Sequence, residues 1–206
     1  MTDLILYTNP MSRGRIARWM LEETGAPYTT QIIPMGQVMK GTEYRSINPM
    51  GKVPALQHNN HIITEAAAIC AYLADVFPQS GLAPQPDEKA GYYRWLFFGA
   101  GPVEAAISNH ACGFNPTEEQ SRLVGYGSYE TVMDVLDQAL SATPYITGER
   151  FTAADVYVGA QINFGLAFNT IEKRPSFIAY SERLKERPAL QRAAALDDAD
   201  MAKIKA

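Results

Sequence analysis

The segment NPMGKVPAL, residues 48–56, decides the fold prediction, because a proline lies in the middle of a run that is apolar enough to form a strand. Proline cannot donate a hydrogen bond to a strand ladder, so central strands avoid it. Pro54 therefore marks either the start of an edge strand after a turn or a bond whose shape exposes backbone groups to a ligand. The residues on both sides distinguish these two interpretations.

The residues before this segment predict a strand, a helix and a second strand. LILYT, residues 4–8, is a short apolar and aromatic run, which is typical of a buried strand. Ser12 is a suitable helix N-cap, and the helical spacing of apolar residues up to Gly25 predicts a helix over residues 13–24. YTTQII, residues 28–33, alternates and carries β-branched residues, so it predicts the second strand.

From residue 36 onward the sequence predicts an irregular helix, a hairpin and a longer helix. GQVMKGTEYRSIN, residues 36–48, is polar and short, which favours an irregular helix. VPALQH (53–58) and HIIT (61–64) flank an asparagine-containing turn and predict a β-hairpin. TEAAAICAYLADVF (64–77) predicts a helix with Thr64 as its cap. The predicted order is βαβ, irregular helix, ββα.

A proline-rich segment, PQSGLAPQPD at residues 78–87, predicts a linker between domains. Beyond it, the long segments carry apolar residues at helical spacing and show no strand pattern. We therefore expect an α+β domain over residues 1–78, followed by an all-helical domain over residues 88–206.

Composition excludes several classes of function. The 206 residues carry a formal net charge of -4 without a cluster of lysine or arginine, so a nucleic-acid partner is not expected. Cys70 and Cys112 are too far apart in sequence for a CxxC pair, which favours a reducing compartment. No apolar run approaches the ~20 residues of a membrane span, and MTDLILYTNP at residues 1–10 lacks the basic region of a signal peptide. A cytoplasmic protein without a membrane partner is expected.

Four motifs together resemble the cytosolic glutathione transferases. NPMGKVPAL matches that family's Asn-Pro-x-Gly-x-Val-Pro-x-Leu, and TEAAAICAYLAD (64–75) matches the start of its glutathione-binding helix. LEETGAPY (21–28) and ITGERFTAADVYVG (146–159) fit the end of its first helix and its sixth-helix capping box. The resemblance spans nearly the whole chain and is closest to bacterial transferases that use serine or cysteine. It implies a thioredoxin-like first domain, a helical second domain and a homodimer.

The resemblance implies that the thiolate of glutathione attacks small, mostly apolar electrophiles, in a detoxification reaction that needs no metal. Two alternatives stay open. One is a regulatory protein of the same fold that binds glutathione without turnover. The other is a disulfide reductase, which would have to use glutathione itself because TNPMSRG, residues 8–14, contains no cysteine.

Activation of the glutathione thiol is assigned to the loop after the first strand. The thiol pKa lies near ~8.5, so a donor must stabilise the anion. Ser12 offers a hydroxyl at a helix N-terminus, and Tyr7 offers a phenol as the second candidate. Thr8 and Asn9 are further candidates, and Met11 is an alternative occupant of the family's serine position.

The resemblance also implies the glutathione-binding residues. A cis Val53–Pro54 bond would turn the backbone N–H and C=O of Val53 outward, so that the tripeptide pairs with them like an added strand. Lys52 and Lys40 are candidates for the glycine carboxylate of glutathione.

The predicted helix after the hairpin supplies the other end of the binding site. Glu65 is expected to bind the γ-glutamyl ammonium. Ala66 stands where the family usually has serine, so only its backbone N–H and the helix dipole remain for the γ-glutamyl carboxylate.

A predicted kink marks the pocket for the electrophile. WLFFGAGPV, residues 95–103, interrupts a helix with two glycines and a proline. Small residues leave room there, and Phe98, Asn109 and His110 are expected to line the pocket.

Five other polar residues are given structural or electrostatic roles. Arg13, Arg15 and Arg18 are expected to line an exposed helix face, where one of them would raise the local positive potential for an anionic ligand. Thr152 and Asp155 are expected to form a capping box.

Overall fold

The computed structural model of the chain, which describes residues 3–205, contains a four-stranded sheet near its amino terminus. The strands are β1 (Leu4–Thr8), β2 (Thr29–Ile32), β3 (Ala55–His58) and β4 (His61–Thr64), in the order β2-β1-β3-β4. β1 is parallel to β2 and antiparallel to β3, and β3 is antiparallel to β4. The predicted strands and hairpin are confirmed.

Helices connect these strands in the predicted order. α1 (Gly14–Thr24) joins β1 to β2, and the irregular segment forms two short helices, α2 (Gln37–Lys40) and α3 (Thr42–Arg45). α4 (Ala66–Val76) follows β4. The predicted α+β class with a thioredoxin-like βαβ–ββα unit is confirmed by this order.

The sheet is packed on both faces. Successive residues of a strand face opposite sides, so Leu6 and Tyr7 belong to different clusters. Tyr7 packs with Met39, Tyr44 and Ala55 on the side of α2 and α3. The opposite side packs against α1 and α4, and its fully buried side chains are Leu6, Ile16, Met20, Leu56, Ile69 and Leu73.

A second unit, Pro84–Lys185, is helical. The predicted kink appears as a π-helical segment, Gly99–Val103, where Pro102 lacks the N–H that a regular helix would use. The helices of this unit are α5 (Lys89–Phe98), α6 (Glu104–Ala111), α7 (Glu118–Ser121), α8 (Tyr129–Ala142), α9 (Ala153–Phe168) and α10 (Pro175–Lys185).

The start of α9 is held by a buried carboxylate. Asp155 is fully buried and accepts hydrogen bonds from the backbone N–H groups of Thr152 (2.8 Å) and Ile146 (2.7 Å). The Tyr180 hydroxyl donates to the same carboxylate at 2.8 Å. Burial raises the pKa of Asp155, while these hydrogen bonds stabilise its charged form. The predicted capping box of Thr152 and Asp155 is confirmed.

The last helix, α11 (Pro188–Lys205), belongs to the first unit, which runs to Ala83 and resumes at Glu186. It packs against α1, so the compact units differ from the predicted division at 1–78 and 88–206, whose outer ends lie outside the described residues. Within residues 3–205, no helix combines the length and apolar character needed to cross a membrane.

Ion pairs between α1 and α11 correct one prediction. Arg13 is exposed, but Arg18 is only 2% exposed and pairs with Asp197 (2.9 Å) and Asp200 (2.7 Å). Arg15 is half-buried and also faces α11. The expectation of one exposed arginine face was wrong, because α11 covers this side of α1. Burial raises the pKa of Asp197 to about 6, despite the opposing attraction of the Arg18 guanidinium.

Candidate functional site

The strand register brings several predicted site segments to one end of the sheet. Tyr7 of β1 pairs with Ala55 of β3, and Ala55 pairs with Thr64 of β4. The loop that follows β1, the segment that precedes β3 and the residue that follows β4 therefore lie at the same end. These are the segments that carry Ser12, Val53–Pro54 and Glu65–Ala66.

The loop after β1 is anchored by Asn9, which is 1% exposed. Its Oδ1 accepts from the backbone N–H of Met11 at 2.9 Å, and its Nδ2 donates to the carbonyl of Ile33 at 3.0 Å. The amide thus fixes the shape of the loop and ties it to the end of β2. Its polar groups are used in this role, so Asn9 is a scaffold for the loop.

Ser12 lies at the centre of this arrangement and is half-buried. Its hydroxyl donates to the carbonyl of Asn9 at 2.6 Å and accepts from the backbone N–H of Gly14 at 2.9 Å. Arg13 occupies the N-cap position of α1, so Ser12, the predicted cap, lies one residue before the observed one, although its oxygen does accept from the first helical N–H. The hydroxyl is therefore held in a defined position at the helix start, and it donates its proton to the Asn9 carbonyl.

Gly14 is a residue whose importance the sequence did not indicate. A Cβ atom at this position would lie 1.9 Å from Oγ1 of Thr8, which is fully buried. A larger residue would displace either Thr8 or the start of α1. The absence of a side chain therefore permits the close approach of α1 to the end of β1, and Thr8 serves the packing of that junction.

Tyr7 donates its hydroxyl to Oε1 of Gln57 at 2.9 Å and is 5% exposed. Its ring packs against Tyr44 at a centroid separation of 6.2 Å. Burial, together with the charge of Asp3, raises the pKa of Tyr7, so the phenol stays protonated at neutral pH. In this structure the phenolic proton is engaged within the sheet.

The segment before β3 is held by two donors on one carbonyl. The Tyr44 hydroxyl and Nδ2 of Asn48 each donate to the carbonyl of Lys52 at 2.8 Å. The predicted cis geometry of Val53–Pro54 is confirmed. Among the described residues, the hydrogen bonds of the structure leave the backbone N–H and C=O of Val53 unpaired.

The two candidate lysines differ in their surroundings. Nζ of Lys40 donates to the carbonyls of Gly51 (2.6 Å) and Met50 (3.2 Å), so this ammonium supports the turn before β3. Lys52 is exposed beside Val53. The nearby Gly51 has a φ of 56°, which favours glycine, and a Cβ there would lie 2.7 Å from the carbonyl oxygen of Met39.

The start of α4 differs from its prediction. Thr64 pairs with Ala55 as the last residue of β4, so it does not cap the helix, and α4 begins at Ala66 with Glu65 as its N-cap. Glu65 has a φ of 67°, a strained conformation for a residue with a side chain, and its side chain is exposed. Within residues 3–205, no side chain caps the first N–H groups of α4. These groups are therefore available to an anion.

The predicted pocket residues of the helical unit lie on α5 and α6. Phe98 packs edge-on against Trp95 with the ring centroids 5.5 Å apart. Nδ2 of Asn109 donates to the Tyr126 hydroxyl at 3.1 Å. His110 is exposed and stacks on a tyrosine ring at 4.1 Å. Phe98 lies at the end of α5, before the π-helical segment, whereas Asn109 and His110 lie near the end of α6, which follows that segment.

Comparisons with known proteins identify the family of this chain. The model of the glutathione S-transferase N-terminal domain matches residues 11–76. The glutathione S-transferase-like protein OpS6 of Beauveria bassiana is 30% identical over 191 residues, covering 85% of this chain and 87% of that protein. The chain belongs to the glutathione S-transferase family. The prediction of an enzyme of this glutathione S-transferase family is thereby confirmed.

Solved glutathione S-transferases share the whole architecture. The enzyme of Methylococcus capsulatus strain Bath superposes with a TM-score of 0.78 at 28% identity, covering 95% of this chain and 98% of that one. The theta-class enzyme of Xanthomonas axonopodis pv. citri, solved with glutathione bound, gives a TM-score of 0.75 at 28% identity, with coverage of 94% and 98%. The similarity therefore includes both the sheet and the helical region.

Proposed function

We propose that this chain conjugates the thiolate of glutathione to small, mostly apolar electrophiles. The observation that carries the proposal is the end of the sheet, where a positioned Ser12 hydroxyl, an unpaired Val53 backbone and the uncapped start of α4 come together. The glutathione-bound theta-class relative supports glutathione as the co-substrate. A thiol tripeptide with an ammonium and two carboxylates matches the polar groups offered here.

The peptide part of glutathione would be held by backbone groups. Val53 offers an N–H and a C=O for strand-like pairing, next to Pro54 at the entry to β3. Lys52 is the proposed partner of the glycine carboxylate, because it is exposed beside Val53. Lys40 would act on the same carboxylate only in addition to its bonds to the Met50 and Gly51 carbonyls.

The γ-glutamyl end would be bound at the start of α4. The exposed Glu65 carboxylate pairs with the ammonium in this proposal, and the free N–H groups from Ala66 onward bind the carboxylate. The strained backbone of Glu65 is consistent with a residue held in place for a ligand.

Ser12 is the proposed donor to the sulfur, which makes this a serine-type transferase. Its O–H would turn from the Asn9 carbonyl to the thiolate. A hydrogen bond to a charged group contributes about 1.5–3 kcal/mol, which lowers a thiol pKa by about one to two units. The thiol proton leaves to solvent, and the sulfur forms a bond to the electrophilic carbon. In a chloronitrobenzene the chloride departs with its electron pair, whereas in an isothiocyanate the C=N electron pair moves to nitrogen, which takes a proton from solvent. Tyr7 is the weaker candidate, because it is 5% exposed and packs within the sheet cluster, whereas Ser12 is half-buried at the start of α1.

The remaining proposals concern the electrophile and the assembly. Phe98, Asn109 and His110 are proposed to contact the electrophile, and the helical domain over 88–206 is proposed to supply that pocket. We also propose a homodimer that acts in detoxification in the cytoplasm. These proposals are supported by membership of the family.

Calorimetry and turnover measurements on the intact protein test the proposed function. Reduced glutathione should bind with measurable heat, and the enzyme should conjugate a chloronitrobenzene or an isothiocyanate. Binding without turnover across a broad electrophile panel would favour a non-catalytic glutathione-binding protein. Turnover confined to disulfides would favour a reductase. An absence of binding heat at millimolar glutathione would refute all three interpretations.

A further inference from the structure

Arg15 connects the carboxy-terminal helix to the loop that carries Ser12. Its Nε donates to the carbonyl of Pro10 at 2.6 Å, and its Nη2 donates to Oδ1 of Asp198 at 2.7 Å. Pro10 lies in the loop after β1, whereas Asp198 lies in α11. One planar guanidinium therefore bonds two segments that are far apart in sequence.

The bond to Pro10 acts on the part of the loop nearest to Ser12. The backbone N–H groups of Met11 and Ser12 are both bound to Asn9, at 2.9 Å to its Oδ1 and 3.1 Å to its carbonyl oxygen. Asn9 thus fixes the loop from inside, and Arg15 fixes the Pro10 carbonyl from the side of α11. Displacement of that carbonyl would shift the hydroxyl of Ser12.

The Arg15–Asp198 pair is poorly suited to holding α11 in place. The Asp198 side chain is 69% exposed, and exposed ion pairs contribute little to stability. The nearly buried guanidinium of Arg18 and its two aspartates already join α11 to α1. Arg192 and Glu22 form another ion pair between these helices, at 3.0 Å.

We infer that Arg15, oriented by Asp198, is a positioning residue for the Ser12 hydroxyl. The inference rests on the proposed function, in which that hydroxyl activates the glutathione thiol. A guanidinium presents Nε and Nη2 in a fixed plane, so it can hold the carbonyl and the carboxylate together. The ammonium of a lysine has no such fixed fork.

Two variants of Asp198 and one of Arg15 test this role. Asp198→Ala should lower kcat/KM about threefold to tenfold at a pH below the pKa of the bound thiol, and Arg15→Gln should lower it about tenfold. The pKa of bound glutathione, titrated by thiolate absorbance, should rise in both variants. The Kd of glutathione should change less than about twofold. Asp198→Asn keeps an oxygen that accepts from Arg15, so it should retain most of the activity.

Arg192→Gln is the matched control, because it removes another α1–α11 ion pair without touching the loop. Its activity should stay within about twofold of the wild type. Equal losses in Arg192→Gln and Asp198→Ala would overturn the inference, since docking of α11 would then explain both. A wild-type thiol pKa in Asp198→Ala would also overturn it.

Hydrogen exchange of the ligand-free protein separates this inference from the proposed function. The amides of Met11 and Ser12 should exchange faster in Asp198→Ala than in Arg192→Gln. Unchanged exchange at these amides overturns the inference even if the wild type is an active transferase. Faster exchange in a protein that fails to bind glutathione would support the positioning of the loop while refuting the proposed function.

Discussion

The starts of α1 and α4 lie at the same end of the sheet, yet they are completed in different ways. At α1, the Ser12 oxygen accepts from the Gly14 N–H, and the surrounding loop is closed by its own hydrogen bonds. At α4, no side chain in the described part of the chain caps the helix, and Glu65, whose backbone is strained, has an exposed side chain.

This difference indicates that the starts of α1 and α4 have separate functions. A helix start leaves N–H groups without partners, and either the chain or a ligand must satisfy them. At α1 the partner is the Ser12 side chain of the protein itself, so a ligand bound there would contact a hydroxyl in a fixed position. The ligand must supply the partner at α4, so this helix start is suited to binding an anion. Changes at α1 should therefore alter the chemical step, and changes at α4 should alter the affinity for glutathione.

The largest effect is expected from Ser12→Ala. Loss of a charge-assisted hydrogen bond should raise the pKa of bound glutathione by about one to two units and lower kcat about 10- to 100-fold below that pKa. The affinity for glutathione should change little. Steady-state kinetics over a pH series, with calorimetry for binding, measure both quantities.

Ser12→Thr is the control for this change, because it keeps a hydroxyl that can donate to sulfur and cap Gly14. It should retain most of the rate, and thermal melts of both variants report any loss of the cap. If Ser12→Ala retains the wild-type rate, the assignment of the start of α1 to the chemical step is wrong.

The second effect is expected from Glu65→Ala at α4. Removing the carboxylate that pairs with the γ-glutamyl ammonium should raise the Kd of glutathione about tenfold, with kcat at saturating glutathione nearly unchanged. Glu43→Ala is the matched control, because Glu43 is also an exposed acid in the first turn of a helix. If the two variants bind glutathione with the same Kd, the proposed role of the start of α4 in binding is wrong.

A smaller effect, of opposite sign, is expected from Ala66→Ser. The added hydroxyl would give the γ-glutamyl carboxylate one more donor, so the Kd should fall about threefold. Ala71→Ser makes the same change in the middle of α4 and should leave the Kd unchanged. Weaker binding by Ala66→Ser would show that no carboxylate lies at this helix start.

The smallest effect is expected from Tyr7→Phe. The Tyr7 hydroxyl already donates to Gln57, so its removal should change kcat less than about twofold, with a loss of stability of about 1 kcal/mol from the broken hydrogen bond. Kinetics and denaturant unfolding measure the two effects. If Tyr7→Phe lowers kcat more than Ser12→Ala does, then Tyr7 at the end of β1 activates the thiol, and the assignment to the start of α1 is wrong.

Short sequence patterns predicted the strands and helices whose limits depend on contacts between residues that are close together in the sequence. The strand at residues 4–8 was predicted with its observed limits, and the predicted helix over 13–24 differs from α1 by one residue at its start. The helix predicted over 64–77 begins two residues later, because Thr64 is retained by the ladder between β3 and β4. A pairing partner in another strand thus outweighed a good local cap.

The order of strands and helices, the turn at the hairpin and the capping box of α9 were determined by the sequence itself, because each depends on residues within a few positions of one another. Tertiary structure alone decided that Tyr7 donates to Gln57, that Lys40 supports the Gly51 turn and that Arg15 pairs with a residue 183 positions further along the chain. A side chain that can donate in several directions is committed to one partner only when folding has brought distant segments together. The spacing of residues along the chain therefore does not predict which partner such a side chain takes.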